Sequence, residues 1–188
     1  MSEKNGPWTI EETEKKYHNS FIDVQEDQVV QPDGKPGSYA TVKMKAGVAV
    51  LPMDDEGNVY LVKQFRYALK RESVEVVCGA IDGDEPPLEA AKREVKEELG
   101  IEAAEWTDLG MFDMDTSIVN CPVFLFTATN LKFTSTEREG TETMKTVKMS
   151  LEEAVENVME SSITHGPSSI LILKGNTAMN LRGENHSF

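Results

Sequence analysis

The sequence predicts an α+β fold in which a mixed β-sheet is layered with a few helices. Three observations carry that expectation. Strand-like apolar segments crowd the first half, residues 87–99 hold one strongly amphipathic helical pattern, and two further helical patterns close the chain. Residues 1–16 are polar and are expected to form an irregular or short helical arm. Phe21 to Val30 reads as a strand, and Gln31-Pro-Asp-Gly-Lys-Pro-Gly37 is dense in turn formers. A strand of mixed pattern is expected over Ser38–Lys45. Val48–Leu51 and Val59–Phe65 flank the turn-forming Asp54–Asn58 segment, so residues 46–66 are expected to form a hairpin. Val74–Ile81 reads as one more strand.

Pro87–Leu99 is the clearest helix, with Pro86 and Pro87 suited to its first turn and Gly100 to its C′ position. Strands are expected over Trp106–Phe112, Pro122–Phe133 and Thr143–Met149. Ser150, three residues before Glu153, has a capping-box pattern that opens a helix to about Glu160. A last helix should run from Pro167 to about Met179, with residues 181–188 frayed.

The chain has 188 residues, enough for one domain with a small appendage and for a core that needs neither disulfides nor a structural metal. The expected organisation is an N-terminal strand extension over 1–45, a main domain over 46–180, and the tail. Nineteen Lys and Arg against 33 Asp and Glu leave a formal net charge of −14. That balance excludes a general nucleic-acid binder, which needs a basic surface to displace phosphate counterions. A phosphate-containing substrate stays possible if a divalent cation stands between the acidic site and the phosphates. Cys78 and Cys121 each sit in an apolar segment and are expected to be buried and reduced. The polar N-terminus has no apolar signal region and no apolar run reaches about 18 residues, so no membrane association and a cytoplasmic location are expected. His18, His165 and His186 are scattered and receive no role.

On a helical wheel, Leu88, Ala91, Val95 and Leu99 of the 87–99 segment share the core-facing stripe. Glu94, Glu97 and Glu98 lie together on one shoulder, with Glu98 closest to that stripe. Like charges three and four apart repel by a few tenths of a kcal/mol, although Arg93 stands four before Glu97 and can pair with it. Two readings are open for this helix alone: a solvated acidic face, or a hard-cation site whose carboxylate oxygens suit Mg²⁺ or Mn²⁺. The context favours the second, because Gly79 ends a strand and a loop with Gly83 and Glu85 leads straight into the helix.

Gly79, five residues, Glu85, seven residues, then Arg93-Glu94-Val95-Lys96-Glu97-Glu98-Leu99-Gly100-Ile101 resembles the complete Nudix box, with every fixed position filled. The resemblance implies the Nudix fold, a mixed sheet between helices, and hydrolysis of a nucleoside diphosphate linked to another moiety. It implies Glu94 and Glu98 as the main metal ligands, Glu97 as a further ligand, orienter or catalytic group, and the Cys78 backbone carbonyl as an added oxygen. Gly79 would let the backbone bend and approach the metal, Arg93 would hold the glutamates, and Glu85 would brace the loop against the helix; Gly100 completes the motif. Mg²⁺, with Mn²⁺ as a substitute, would neutralise the phosphates and activate water.

The similarity extends over roughly residues 8–175. Trp8, the Tyr17–Phe21 segment, the Pro32-Asp33-Gly34 turn, Tyr39, Gln64-Phe65-Arg66 and Glu75-Val-Val-Cys-Gly79 resemble the branch of ADP-ribose and nucleotide-sugar pyrophosphatases. Arg66 is then a candidate for contacting the substrate's phosphates or base, or else a surface ion pair. Glu75 is a candidate for contacting base or ribose, or a partner for an arginine. That branch places a catalytic glutamate in the loop before the last strand; Glu142, followed by Thr143-Met144, matches best and Glu139 second. Its N-terminal strands exchange between subunits, so a homodimer is implied. Asp115-Thr116-Ser117 and Cys121-Pro122 stand where many members have Ser-Pro-Gly and Glu-Arg, and Cys78 stands where Ala is usual. These departures lie outside the metal ligands and bear on substrate identity. The rival readings are a Nudix hydrolase of dinucleoside polyphosphates, capped RNA or damaged triphosphates; a non-catalytic nucleotide sensor; and an interaction protein whose acidic helix binds a basic partner.

Overall fold

The computed structural model describes residues 2–135 and 144–184. The first strands are β1 (Glu3–Asn5), β2 (Trp8–His18), β3 (Ile22–Val30) and β4 (Pro36–Met44), followed by β5 (Gly47–Pro52), β6 (Asn58–Arg66), β7 (Arg71–Glu75) and β8 (Val77–Ala80). Helix α1 (Pro87–Leu99) precedes the long strands β9 (Ile101–Asp115) and β10 (Val119–Phe133). Strand β11 (Lys145–Ser150) and helices α2 (Leu151–Met159) and α3 (Gly166–Glu184) complete the chain. The class is α+β with mixed pairing, as expected.

Two compact units form, Met1–Lys45 with Asp113–Pro122, and Ala46–Phe112 with Val123–Phe188. In the first, β1, β2, β3 and β4 pair antiparallel in chain order, and the start of β10 adds a parallel pairing, Val119 opposite Val42. The turn over residues 31–35 closes through Gln31 N–H donating to the Lys35 carbonyl at 2.8 Å, with Gly34 at φ 84°. Residues 3–5 and 8–16 are strand, not the irregular or helical arm that their polarity suggested. Strand β2 is mostly exposed on both faces, so it lacks the apolar alternation that would announce it. Backbone pairing with β3 fixes it instead.

In the second unit, β5 lies between β10, to which it is parallel, and β8, to which it is antiparallel, while β9 pairs with β10. A separate three-stranded antiparallel sheet has the order β11-β6-β7. Two expectations change here. The Asp54–Asn58 turn forms, with Asp54 Oδ1 accepting the Asn58 backbone N–H at 2.8 Å. The flanking strands do not form a hairpin, however: β5 and β6 enter different sheets and share only the Met53–Val59 bridge. Likewise Val74–Ile81 is two strands, broken at Val76, with β7 in the small sheet and β8 in the larger one. Both errors have one cause. Apolar runs report burial, and both sheets bury their strands, so the run cannot say which sheet takes it.

Helix α1 packs on this core through Ala90, Ala91, Val95 and Leu99, against Val48, Val50, Val62, Val77 and Phe126. The two alanines let the helix approach closely, and each fully buried valine or leucine contributes about 1.5–3 kcal/mol. That packing makes α1 a fixed rail. Gly100 ends it at φ 64°, its N–H donating to the Lys96 carbonyl at 2.9 Å. Ser150 caps α2 by accepting the Glu153 N–H at 3.0 Å. Residues 181–184, expected to fray, continue α3. No described helix is long and apolar enough to cross a membrane.

Candidate active site

The site is built where β8 hands over to α1. Val48 opposes Gly79 and Ala49 opposes Cys78 across the β5–β8 pair, so this stretch of backbone is anchored in the sheet. A turn follows, with Glu85 N–H donating to the Asp82 carbonyl at 3.0 Å and Gly83 at φ 54°, before Pro87 opens the helix. The helical repeat then places Glu94 and Glu98 one turn apart on the same flank.

Glu98 is only 5% exposed, beside the apolar stripe. A carboxylate taken this far from water needs compensation by a cation or by hydrogen bonds. Glu94 lies over Gly79: a Cβ at residue 79 would fall 1.9 Å from both Cδ and Oε1 of Glu94. Glycine here therefore makes the seat in which that carboxylate rests.

Arg93 is the hub that the motif implies. Its Nε and Nη2 donate to the two oxygens of Glu85 at 3.2 and 3.1 Å. Its Nη1 donates to Glu94 Oε1 at 2.7 Å and to Glu97 Oε2 at 3.2 Å, and Nη2 also reaches the Ala80 carbonyl at 3.0 Å. One guanidinium thus ties the end of β8, the loop and the helix together. Its hydrogen bonds to Glu85, outweighing burial and joined by those to Glu94, raise the Arg93 pKa, and Arg93 in turn holds Glu85 below the usual carboxylate range.

The second cluster is Arg66 with Glu75. Arg66 Nε donates to Glu75 Oε1 at 3.0 Å and to Oε2 at 3.1 Å, and Nη2 donates to Oε2 at 2.5 Å. Glu75 is 1% exposed, while the Arg66 side chain is 39% exposed. Burial alone would raise the Glu75 pKa, but the Arg66 hydrogen bonds, the neighbouring His165 and a hydrogen bond from Ser73 hold it down. Of the two options for Glu75, the structure has the arginine pair. Arg66 Nη1 makes no hydrogen bond among the described residues and can take a further anion.

Cys78 lies in the chain between the two clusters, three residues after Glu75 and next to Gly79. Burial pushes its thiol up; the charges of Glu98, Glu75 and Glu94 act in the same direction and Arg66 opposes them. Arg66 itself is kept protonated by Glu75 first and by Glu98 as a lesser influence. The sequence-derived residues Arg66, Glu75, Cys78, Gly79, Glu85, Arg93, Glu94, Glu97 and Glu98 therefore occupy one connected region of the second unit. Glu139 and Glu142 lie outside the described residues. Both cysteines are free thiols; Cys121 is buried as expected, whereas Cys78 is only half-buried because it sits on the strand that leads into the site. His165, which received no role in the sequence, stands 3.5 Å from Glu75 Oε2; no local motif links residues so far apart in the chain.

The donor set fits a hard divalent cation. It is all oxygen, it includes the nearly buried Glu98 carboxylate, and the backbone leaves room for Glu94 at Gly79. Among the described residues, no three His, Cys, Asp or Glu side chains are gathered closely enough to close on an ion by themselves. Arg93 holds Glu94 and Glu97 meanwhile. In the first unit, a separate cleft of about 430 Å³ is lined by Trp8, Ile10, Asp27, Tyr39 and Thr41, with Trp8 and Tyr39 in edge-to-face contact at 5.5 Å.

Comparisons with known proteins bear on the family and the fold. The NUDIX domain family matches residues 43–166, and the nucleoside diphosphate sugar hydrolase N-terminal domain matches residues 8–42. An ADP-ribose pyrophosphatase of Bacillus subtilis is 33% identical over 147 residues, covering 77% of this chain and 80% of that protein. An ADP-ribose pyrophosphatase of Mycobacterium tuberculosis is 31% identical over 121 residues, 64% of this chain and 58% of that protein. A crystal structure of an ADP compounds hydrolase superposes with a TM-score of 0.83 at 20% identity, over 97% of this chain and 99% of that one, and so matches in fold. The NUDIX match spans the carboxylate rail, the Gly79 seat and the Arg66 pair alike, and the chain belongs to the Nudix family of hydrolases.

Proposed function

We propose that the chain hydrolyses the diphosphate linkage of ADP-ribose or a nucleoside diphosphate sugar, with Mg²⁺, giving a nucleoside monophosphate and a sugar phosphate. The observation that carries this reading is the five-residue stretch Glu75–Gly79, which joins an arginine-held carboxylate at one end to the seat of Glu94 at the other. The names of the relatives at 33% and 31% identity point the same way.

Glu94 and Glu98 would hold the ion, with Glu97 and the Cys78 carbonyl as further oxygen donors. The ion supplies neutralisation of phosphate charge and activation of water. Arg93 keeps the glutamates in register while Glu85 braces the loop. Arg66 offers Nη1 to the phosphates and is aimed by Glu75. Water adds to one phosphorus as the bridging P–O bond breaks, and each product leaves as a monophosphate. A loop glutamate, Glu142 or Glu139, would take the proton from water, with Glu97 as the alternative among the described residues.

The test is a product screen over ADP-ribose and the ADP-, GDP- and UDP-hexoses. Expected are a monophosphate product with Mg²⁺, none in EDTA, and recovery on adding Mg²⁺ or Mn²⁺. Turnover that persists in EDTA, or exclusive use of dinucleoside polyphosphates or triphosphates, would refute it.

Residues 1–45 are proposed as a dimerisation arm, supported by the N-terminal domain match at residues 8–42. Light scattering is expected to give twice the 20.9 kDa chain mass; a monomer at assay concentration would rule the dimer out. Two reduced thiols agree with a cytoplasmic location.

A further inference from the structure

Beyond Arg66, the Glu75 carboxylate also faces His165, just ahead of the third helix. His165 immediately precedes α3, its carbonyl accepting the Ser169 N–H at 2.9 Å as the helix begins. Its Nδ1 lies 2.8 Å from Ser168 Oγ and 3.5 Å from Glu75 Oε2. Ser168 is fully buried, and its Oγ accepts the Val76 backbone N–H at 2.9 Å. Val76 is the single residue between β7, which carries Glu75, and β8, which carries Cys78 and Gly79.

The Glu75 carboxylate favours the tautomer of His165 that carries its proton on Nδ1, although the Ser168 hydroxyl can serve either as donor or as acceptor to that atom. Were Nδ1 an acceptor, its lone pair would face the Glu75 carboxylate as well as Ser168. With the proton on Nδ1, the N–H donates to Ser168 Oγ, and its positive end also faces Glu75 Oε2. The charged groups acting on the imidazole are Glu75 on β7 and Arg66 on β6. Burial, helped by Arg66 and opposed by Glu75, keeps the ring neutral. A neutral N–H steadies the carboxylate without competing for it as a second cation would.

We propose that His165, anchored by Ser168, is a positioning residue that fixes the Glu75 carboxylate and thereby aims Arg66 at the substrate's phosphates. The aim at phosphate rests on the function proposed above; the effect on Arg66 does not.

The two parts are separated by reading Arg66 directly. In ¹⁵N-labelled full-length protein, exchange of the Arg66 Nε–H with water reports how firmly Glu75 holds it. His165→Leu is expected to speed that exchange about tenfold, the size for weakening one charge-assisted hydrogen bond. KM for ADP-ribose should rise about tenfold with kcat within about twofold, the pattern of lost binding rather than lost chemistry. His165→Asn carries an N–H at the same distance from Cβ as Nδ1, and it should restore both values to within about twofold of wild type. If His165→Leu does not fold, Ser168→Ala, which removes the anchor and leaves the ring, should move exchange and KM in the same direction. Unchanged Nε–H exchange in the folded variants would overturn the proposal. So would a loss that Asn does not rescue, since a merely space-filling ring predicts that result. Faster exchange with unchanged KM supports the positioning role and removes Arg66 from the phosphate contact.

Discussion

Replacing Glu98 by Gln is expected to lower kcat/KM for ADP-ribose about a thousandfold while leaving the protein folded and at least as stable. Gln keeps the shape of the side chain and removes its charge. At the proposed metal site that charge is the point: a ligand's share of transition-state charge stabilisation is about 4 kcal/mol, or about a thousandfold in rate. For the fold the sign reverses. Glu98 is 5% exposed, and its charge presses on the Cys78 thiol together with those of Glu75 and Glu94. Neutralising it relieves a buried like-charge cluster, so the melting temperature should stay the same or rise. Stability surrendered at a working site is a common trade. Wild-type turnover in this variant would end the metal assignment; lost turnover with a collapsed melting transition would make Glu98 a structural residue.

Gly79→Ala is the second large effect, and it acts through space rather than charge. The new methyl would sit 1.9 Å from Cδ and Oε1 of Glu94 and 2.4 Å from its Cγ. The obstructed group is the end of a flexible side chain, so it can swing aside and the fold survives at a cost of about 1–3 kcal/mol. The carboxylate then no longer rests where the motif puts it. A displacement of about 1 Å at a reacting centre costs about a hundredfold. We therefore expect kcat/KM to fall about a hundredfold and Mn²⁺ affinity, read by water proton relaxation, to weaken with it. An alanine variant with native activity and native Mn²⁺ binding would show that the seat at residue 79 does not serve Glu94.

The legible and illegible parts of this protein divide by range. Helix α1 could be read because its apolar stripe, its prolines and Gly100 all lie within 15 residues of one another. The same holds for the glutamate shoulder, the Arg93–Glu97 pair and the capping of α2 by Ser150. Pairing between distant strands has no such local record. Thus Val74–Ile81 looked continuous although it changes sheets at Val76, and residues 46–66 looked like a hairpin although their strands part after the turn. In β2, Glu11, Glu12, Lys15 and Lys16 are all exposed and hide a strand that exists through its neighbour. At the site, the pairing of Glu75 with Arg66 nine residues away on the neighbouring strand becomes visible only in three dimensions. His165 and Ser168 reach Glu75 and Val76 across about ninety residues of sequence, a separation that no motif spans.

The break at Val76 has an evolutionary consequence. The two strands just before it, β6 and β7, belong to the small sheet and carry the Arg66–Glu75 pair; β8, just after it, belongs to the large sheet and leads to the carboxylate helix. On the function proposed above, exposed residues of β6 and β7 such as Phe65 can vary to suit a different substrate while the buried ones that pack on α1 stay fixed. If that function holds, the single residue Val76 is the seam between selection and cleavage.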